Sequence, residues 1–382
     1  MRVLFVTHSF PRHDGDGAGE FILRLAVALV ATGCDVRVLA PSAPGLERET
    51  TIRGVRVSRF RYAPRSWETL AYEGTMAEQV ADTMRGKLAL VGLIDGTRRA
   101  VARITATWHP DVIHAHWWFP CGIGAALARG NAPVVVTMHG SDVRLAAHSV
   151  VAPALFRLVA RRSARLMAVS SWLAKTAEGL APGLQVGVAP MPVDTALFTP
   201  GAWPRTPTLL AVGRLNEQKG VSDCIQLLAQ LPDAVTADIV GDGPDRDRLH
   251  TMARTLGVGG RIRWHGRLPQ SAVAPLYRGA LATVMPSRDE GLGLVAVESL
   301  LSETPVVAYR SGGIVDLIVD GETGLLTREG SVDELAAAVM QLLDNPASAE
   351  RMGAAGRARM LSAFSPATAA ATYHAVYEAA VR

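Results

Sequence analysis

Three cysteines in 382 residues, Cys34, Cys121 and Cys224, are too few, too scattered and odd in number for a disulfide framework, and they lack zinc-ligand spacing. A reducing, cytoplasmic setting is the expectation. Long apolar runs are also missing, since no stretch approaches the roughly 18 residues of a membrane span. The opening Met1-Arg2-Val3-Leu4-Phe5-Val6-Thr7 loses its apolar character too early for an export signal and has no small-residue cleavage site after it. It reads as a first buried strand. No basic tract is interleaved with aromatics, which argues against nucleic acid as a partner. No short repeat or low-complexity tract occurs.

What is present is a globular composition, 49% hydrophobic and 19% charged, in a chain longer than one core usually supports. Two domains of similar size are expected. The formal charge of +4 is unevenly spread. Residues 1–200 carry 22 Lys and Arg against 15 Asp and Glu, net +7, and the remainder carries net −3. An anionic partner for the first half follows, either a phosphorylated acceptor or peripheral contact with an anionic membrane. The segment Phe156 to Arg165, with Arg157, Arg161, Arg162 and Arg165, reads either as a basic amphipathic helix against lipid headgroups or, more simply, as a solvated helix face.

Short β-branched runs alternate with helical patterns. Val3–Thr7, Val36–Ala40, Val112–His116, Val134–His139 and Leu166–Ser170 read as strands, and Phe21–Ala31, ending in Thr32-Gly33, as the first helix. Between about Ala181 and Pro207 six prolines crowd together, a linker signal. The alternation then restarts at Thr208–Val212, Ala237–Val240, Ile262–His265, Ala282–Met285 and Val306–Tyr309, and the chain closes in helices at Val332–Leu343, about Ala347–Leu361 and Pro366–Val381. Such alternation predicts parallel sheets wrapped by helices, with ligands at the carboxyl ends of the strands.

The densest signal is Asp289-Glu290-Gly291-Leu292-Gly293-Leu294-Val295-Ala296-Val297-Glu298, two glutamates eight residues apart across a glycine turn into a helix. Eight helical steps would separate them by roughly 12 Å, whereas the carboxylate pairs of glycosidases lie about 5 to 9.5 Å apart. The pair therefore suits gripping two parts of an extended ligand rather than attacking one atom. Gly213-Arg214-Leu215-Asn216-Glu217-Gln218-Lys219-Gly220 follows another strand and brackets a turn with two cations suited to a diphosphate. Gly241-Asp242-Gly243-Pro244 reads as a tight turn, and Trp264-His265-Gly266-Arg267-Leu268 as a loop against which a base could pack. In the first half, Asp14-Gly15-Asp16-Gly17-Ala18-Gly19-Glu20 forms a glycine-rich turn that lacks the G-x-G-x-x-G pattern, so a dinucleotide site is unsupported. His114-Ala115-His116-Trp117-Trp118 and Thr137-Met138-His139-Gly140-Ser141-Asp142 end two further strands. Each histidine alone reads most simply as packing, and no metal site is expected from them.

In this order the residues resemble family 4 of the glycosyltransferases, from Met1 to about Ala363; the resemblance rests on Gly213-Arg214-Leu215 with Lys219-Gly220, on Glu290 and Glu298, and on Thr304-Pro305-Val306-Val307 with Gly312-Gly313. It implies the α/β GT-B fold, two doubly wound Rossmann-like domains facing a central cleft. The implied domains are an acceptor-binding domain over 1–190, a linker over 191–207 and a nucleotide-sugar-binding domain over 208–365, with the helix 366–382 returning to the first domain. It also implies a retaining, metal-independent transfer of a hexose-type sugar from a nucleotide-sugar, UDP-sugar favoured and GDP-sugar next, with no cofactor. By that resemblance Arg214 and Lys219 hold the diphosphate, Glu290 the sugar hydroxyls, Glu298 the ribose, and Gly291, Leu292, Gly293 and Leu294 the sugar and phosphates. Arg267 adds to the donor side, His139 contacts the donor sugar, and Gly17 and Gly19 close on the diphosphate. Ala18 departs from the adjacent glycines of many relatives. His116, Trp117 and Asp142 are candidates for the acceptor side, along with Arg59 to Arg65 and Trp67, and the acceptor itself is a small molecule, a saccharide or a lipid-linked hydroxyl. Two rivals fit the same outline: a nucleotide-sugar 2-epimerase and a non-catalytic two-domain sugar-binding protein.

Overall fold

The structure is a computed structural model that describes residues 1–72, 76–128, 130–147, 149 and 151–382. It divides into two compact units, Met1–Pro192 with Pro366–Arg382, and Val193–Ser365.

In the first unit the strands are β1 (Arg2–Val6), β2 (Asp35–Pro41), β3 (Glu49–Ile52), β4 (Val55–Phe60), β5 (Val112–His116), β6 (Val134–Met138), β7 (Arg165–Ala168) and β8 (Val186–Val188). They form one sheet in the order β3-β4-β2-β1-β5-β6-β7-β8. Every pairing is parallel except β3 with β4, which are antiparallel. The central strands are buried at almost every position, as a parallel sheet covered on both faces requires. The sequence pattern did not announce β3 and β4. Their polar residues alternate with apolar ones at the sheet edge, and the link is a tight turn with Arg53 (φ 46°) and Gly54 (φ 80°) both left-handed. The basic segment resolves into a helix, Ala152–Arg162, and the start of β7 at Arg165. Arg157 and Arg162 donate to backbone carbonyls of Leu180 and Ala126.

The last helix, Pro366–Val381, belongs to the first unit and buries Tyr373 and Tyr377 completely. Its anchor is polar. His114, in the middle of β5, pairs one ring nitrogen with the Tyr377 hydroxyl (2.7 Å) and the other with Thr137 Oγ1 (2.8 Å), and Thr137 also meets the Tyr373 hydroxyl at 3.2 Å. Tyr373 donates onward to the carbonyl of Ala189. A buried imidazole costs stability unless both nitrogens are engaged, and the two tyrosines meet that demand.

The second unit has a parallel sheet of β9 (Thr206–Val212), β10 (Thr236–Val240), β11 (Ile262–Gly266), β12 (Ala280–Met285), β13 (Val306–Tyr309) and β14 (Gly324–Thr327), in the order β11-β10-β9-β12-β13-β14. Most of the proline-rich stretch expected as a linker is packed onto this unit. Phe198 is fully buried against Tyr277, and Arg205 donates to the carbonyls of Tyr277 and Ser302. In each sheet the chain order reverses once near the centre, between β1 and β5 and between β9 and β12. The crevice at such a reversal is where open α/β sheets take ligands.

Tyr377→Phe should leave His114 Nδ1 without a partner in a dry interior. The expected cost is about 1–3 kcal/mol, read as a lower urea midpoint for the first unit; an unchanged midpoint would show that the hydroxyl does not anchor the helix.

Candidate active site

At the β9/β12 reversal two loops meet. After β9, Asn216 Oδ1 accepts from the Lys219 amide (3.3 Å) and caps the short turn Glu217–Lys219, which Gly220 ends in the left-handed region at φ 63°. A Cβ on Gly220 would stand 2.2 Å from the carbonyl oxygen of Pro286, so only glycine lets the turn close on the loop that follows β12. The Gln218 carbonyl accepts from the Arg288 amide at 2.8 Å, and Gln218 Nε2 donates to the Asp289 carbonyl at 3.4 Å. Lys219 Nζ then reaches Glu290 Oε2 at 2.5 Å. Arg214 is exposed at the head of the same loop.

Glu290 is held from the other side by the turn after β13. The Gly313 amide donates to the Glu290 carbonyl (2.7 Å), and a Cβ on Gly312 would lie 2.3 Å from that oxygen. The backbone then runs through Gly291 and Leu292 to Gly293 (φ 92°), which starts the helix Leu294–Leu301. That start has no side-chain cap and no carboxylate in its first turn, so its amide end is an electropositive seat for an anion.

Only from Leu294 onward is the segment helical, so the two glutamates are separated by a turn plus one helical turn rather than by eight helical steps. Glu298 is 7% exposed. Gln270 Nε2 donates to its Oε1 at 2.7 Å and the Tyr277 hydroxyl to its Oε2 at 3.0 Å. Burial, and then the negative charge of Glu298, push the Tyr277 phenol well above its ordinary range. Sequence reasoning missed Gln270 and Tyr277. Their spacing of seven on one helix, Gln270–Gly279, puts both on one face and is the signal that was available.

Arg267 is exposed between β11 and that helix. Strand β11 before it is tied to β10 through Asp238, which takes Arg263 in two hydrogen bonds (2.6 and 2.7 Å) and His265 Nε2 in a third (2.8 Å). Burial opposes ionisation of Asp238, but these donors hold its carboxyl below the usual range.

In the first unit, the β1/β5 reversal brings the loop after β1 against Trp117, whose ring lies 4.4 Å from His8 and 4.5 Å from His139. Trp117 has φ 64°, rare for a large side chain. Asp142 fixes this turn: Oδ1 accepts from the amides of His139 (3.2 Å) and Gly140 (3.0 Å), and Oδ2 from that of Trp118 (3.0 Å). Burial lifts its carboxyl to about 6 in spite of those amides. Asp142 and His116, candidates for the acceptor side, are interior, 3% and 0% exposed. His116 Nδ1 instead meets His139 Nε2 at 3.2 Å, with the rings stacked, so both residues position His139. His139 itself is half-buried. His114 has both ring nitrogens engaged, by Tyr377 and Thr137.

Gly19 (φ 69°) starts the helix Glu20–Ala31, and a Cβ there would meet the Ser9 carbonyl at 2.3 Å; Gly17 has no such neighbour. The Ala18 amide donates to Asp16 Oδ1 at 3.3 Å. Burial works against Asp16, yet Arg12 holds its carboxyl at about 2. Glu20, in the first turn of this helix, is paired with Arg24 and Arg53. Two carboxylates therefore lie at this helix start, one of them in its first turn, whereas the start at Gly293 has none in its first turn and Glu290 three residues before it.

Two family profiles match the chain: Glycosyl transferases group 1 over residues 196–359, and Glycosyl transferase 4-like domain over residues 16–193. The chain is 33% identical to glycogen synthase of Mycobacterium tuberculosis over 416 aligned residues, covering 100% of this chain and 95% of that protein. Among solved structures it superposes on sucrose-phosphate synthase from Thermosynechococcus elongatus with a TM-score of 0.81 at 22% identity, over 99% of this chain and 98% of that one. It superposes on Anabaena HepE in complex with UDP-glucose with a TM-score of 0.74 at 20% identity, over 99% of each.

Burial, chiefly, lowers the imidazoles of His8 to about 4 and His114 to about 3, and lowers His116 and His139 well below 6.5. These groups bind protons more readily unfolded than folded. The stabilising contribution of His8 and His114 is full above pH 6.5 and is lost as pH falls toward about 4 and about 3 respectively, by up to about 1.4 kcal/mol per pH unit, and His116 and His139 act in the same direction. The melting temperature of the first unit should therefore drop between pH 7 and pH 5. A melting temperature that is flat over that interval would show that the imidazoles are not held neutral.

Proposed function

The chain belongs to family 4 of the glycosyltransferases and has the GT-B fold, and from that premise we propose that it is a retaining, metal-independent hexosyltransferase that moves a sugar from a nucleotide-sugar to an acceptor hydroxyl. The observation that carries this reading is the Lys219–Glu290 pair beside the uncapped helix start at Gly293, with Glu298 set by Gln270 and Tyr277 on the same helix. A donor diphosphate fits the amide end of the helix and the cations Arg214 and Lys219. As the nucleotide departs, these cations stabilise the charge that builds on its phosphate, the role a divalent ion could otherwise fill. Glu298 accepts the ribose hydroxyls, and Arg267 lies on the base side.

The ion pair gives this site a coupling. A diphosphate competes with Glu290 for Lys219, and as the ammonium turns to phosphate, Glu290 is left free to accept the hydroxyls of the sugar. Neither glutamate is used as a nucleophile. Retention is then served by attack of the acceptor hydroxyl on the face the nucleotide leaves, with the departing phosphate oxygen taking the acceptor proton. UDP-sugar is the favoured donor and GDP-sugar next; the UDP-glucose complex of HepE supports UDP by analogy. The first unit serves the acceptor.

Purified protein should release nucleoside diphosphate from a UDP-, GDP- or ADP-sugar only when an acceptor is present, with activity unchanged by EDTA. Loss of all activity in EDTA would overturn metal independence, and conversion of donor without acceptor would favour an epimerase instead. Glu298→Ala should weaken binding of the bare nucleotide by about tenfold or more, whereas Glu290→Ala should slow turnover and leave bare nucleotide binding nearly intact. Equal effects of the two changes on bare nucleotide would sink the division of labour.

A further inference from the structure

The first unit has a second polar cavity, of about 640 Å³, between the helix Met84–Trp108, the end of β4 and the loop after β2. Six arginines line it, Arg48, Arg59, Arg61, Arg65, Arg99 and Arg103, and among the described residues no carboxylate does. Two acidic groups touch its rim. Glu68 accepts from Arg61 Nε at 2.8 Å and from Ser42 Oγ at 2.6 Å, and Asp95 lies 3.1 Å from Arg99. Arg48, Arg65 and Arg103 have no ion pair among the described residues.

Arg59 is the most telling of the six. It is 3% exposed, and its terminal nitrogens donate only to neutral oxygens, the Tyr72 hydroxyl (2.7 Å) and the Pro11 carbonyl (2.8 Å), while its Nε has no partner. A guanidinium buried without a counter-charge is costly, and the cavity beside it is where a counter-charge fits. Guanidinium forks match phosphate oxygens in pairs. One carboxylate would use one such fork, so a surplus of several arginines fits the higher charge of a phosphate group. The volume is that of a small-molecule pocket.

We infer that this cavity binds a phosphate ester, carried either by a small soluble ligand or by a lipid headgroup, independently of the nucleotide-binding loops of the second unit. Through Arg59 and Pro11 the pocket is joined to the loop that contains Arg12, Asp16, Gly17 and Gly19, so its occupancy is felt at that turn.

The test is calorimetric titration of the full chain with a hexose monophosphate, with and without saturating UDP, and in parallel with vesicles containing phosphatidic acid. The double variant Arg65→Glu with Arg103→Glu changes two exposed side chains and is checked for folding by its melting curve. Saturable binding of the hexose phosphate that persists under UDP, and falls at least about tenfold in the double variant, supports the pocket and a soluble ligand. Binding of vesicles alone, again lost in the variant, supports a lipid headgroup. Absence of both, displacement of the hexose phosphate by UDP, or binding indifferent to the charge reversal overturns the inference. UDP affinity of the variant is measured separately and should equal that of the parent, so failure here is distinguishable from failure of the donor reading.

Discussion

A contact that only glycine can make, Gly220 against the carbonyl of Pro286, is the constraint on which the second unit's site depends. It closes the loop after β9 onto the loop after β12 at the point where the chain order of the sheet reverses. The residue before that glycine is Lys219, and the loop it meets leads to Glu290, so one backbone approach sets the ion pair of the site. Gly312 repeats the device from the β13 side. Charge placement here follows from backbone geometry, and the side chains merely complete it. The glycines flanking the charged residues are thus as much part of the site as the charges.

The two helix starts that face strand reversals differ in electrostatics. The one at Gly293 has no acidic residue in its first turn and leaves its dipole open to a ligand. The one at Gly19 is followed at once by Glu20, and Asp16 lies just before it. Arg12, Arg24 and Arg53 compensate those carboxylates, so that turn is close to neutral before any ligand arrives. The helix start with no carboxylate in its first turn is therefore the one in the second unit, where Glu290 just before it is paired with Lys219, while the first unit gathers six arginines around one cavity.

The parallel sheets, the order of the main strands and the closing helices were legible because buried parallel strands are continuous apolar runs, and Gly213–Gly220 and Glu290–Glu298 stood out because both cluster glycines with charges. What the sequence hid was of two kinds. Strand β3 at the sheet edge is mostly polar and its neighbour β4 carries as many polar as apolar residues, which makes them look like loop. Side chains that act on other side chains leave no local pattern. Asp142, a candidate for the acceptor side, spends both oxygens on backbone amides, and His116, another, is fully buried against His139. The prolines between about 181 and 207 suggested a linker, and Phe198 and Arg205 pack this segment onto the second unit.

Position 298 shows why residue type and not only charge is specified. Its two oxygens face two donors, Gln270 Nε2 and the Tyr277 hydroxyl, and the group is almost wholly buried. A glutamine there would replace one oxygen by an amino group pointing at a donor, and an aspartate would fall short of both by one methylene. Only a carboxylate at this reach accepts from each neighbour. Tyr277 is in turn wedged against Phe198 in the fully buried core. The orientation of Glu298 is thereby inherited from packing that begins in the connecting segment, well away in sequence from the glycine turn that makes the site recognisable.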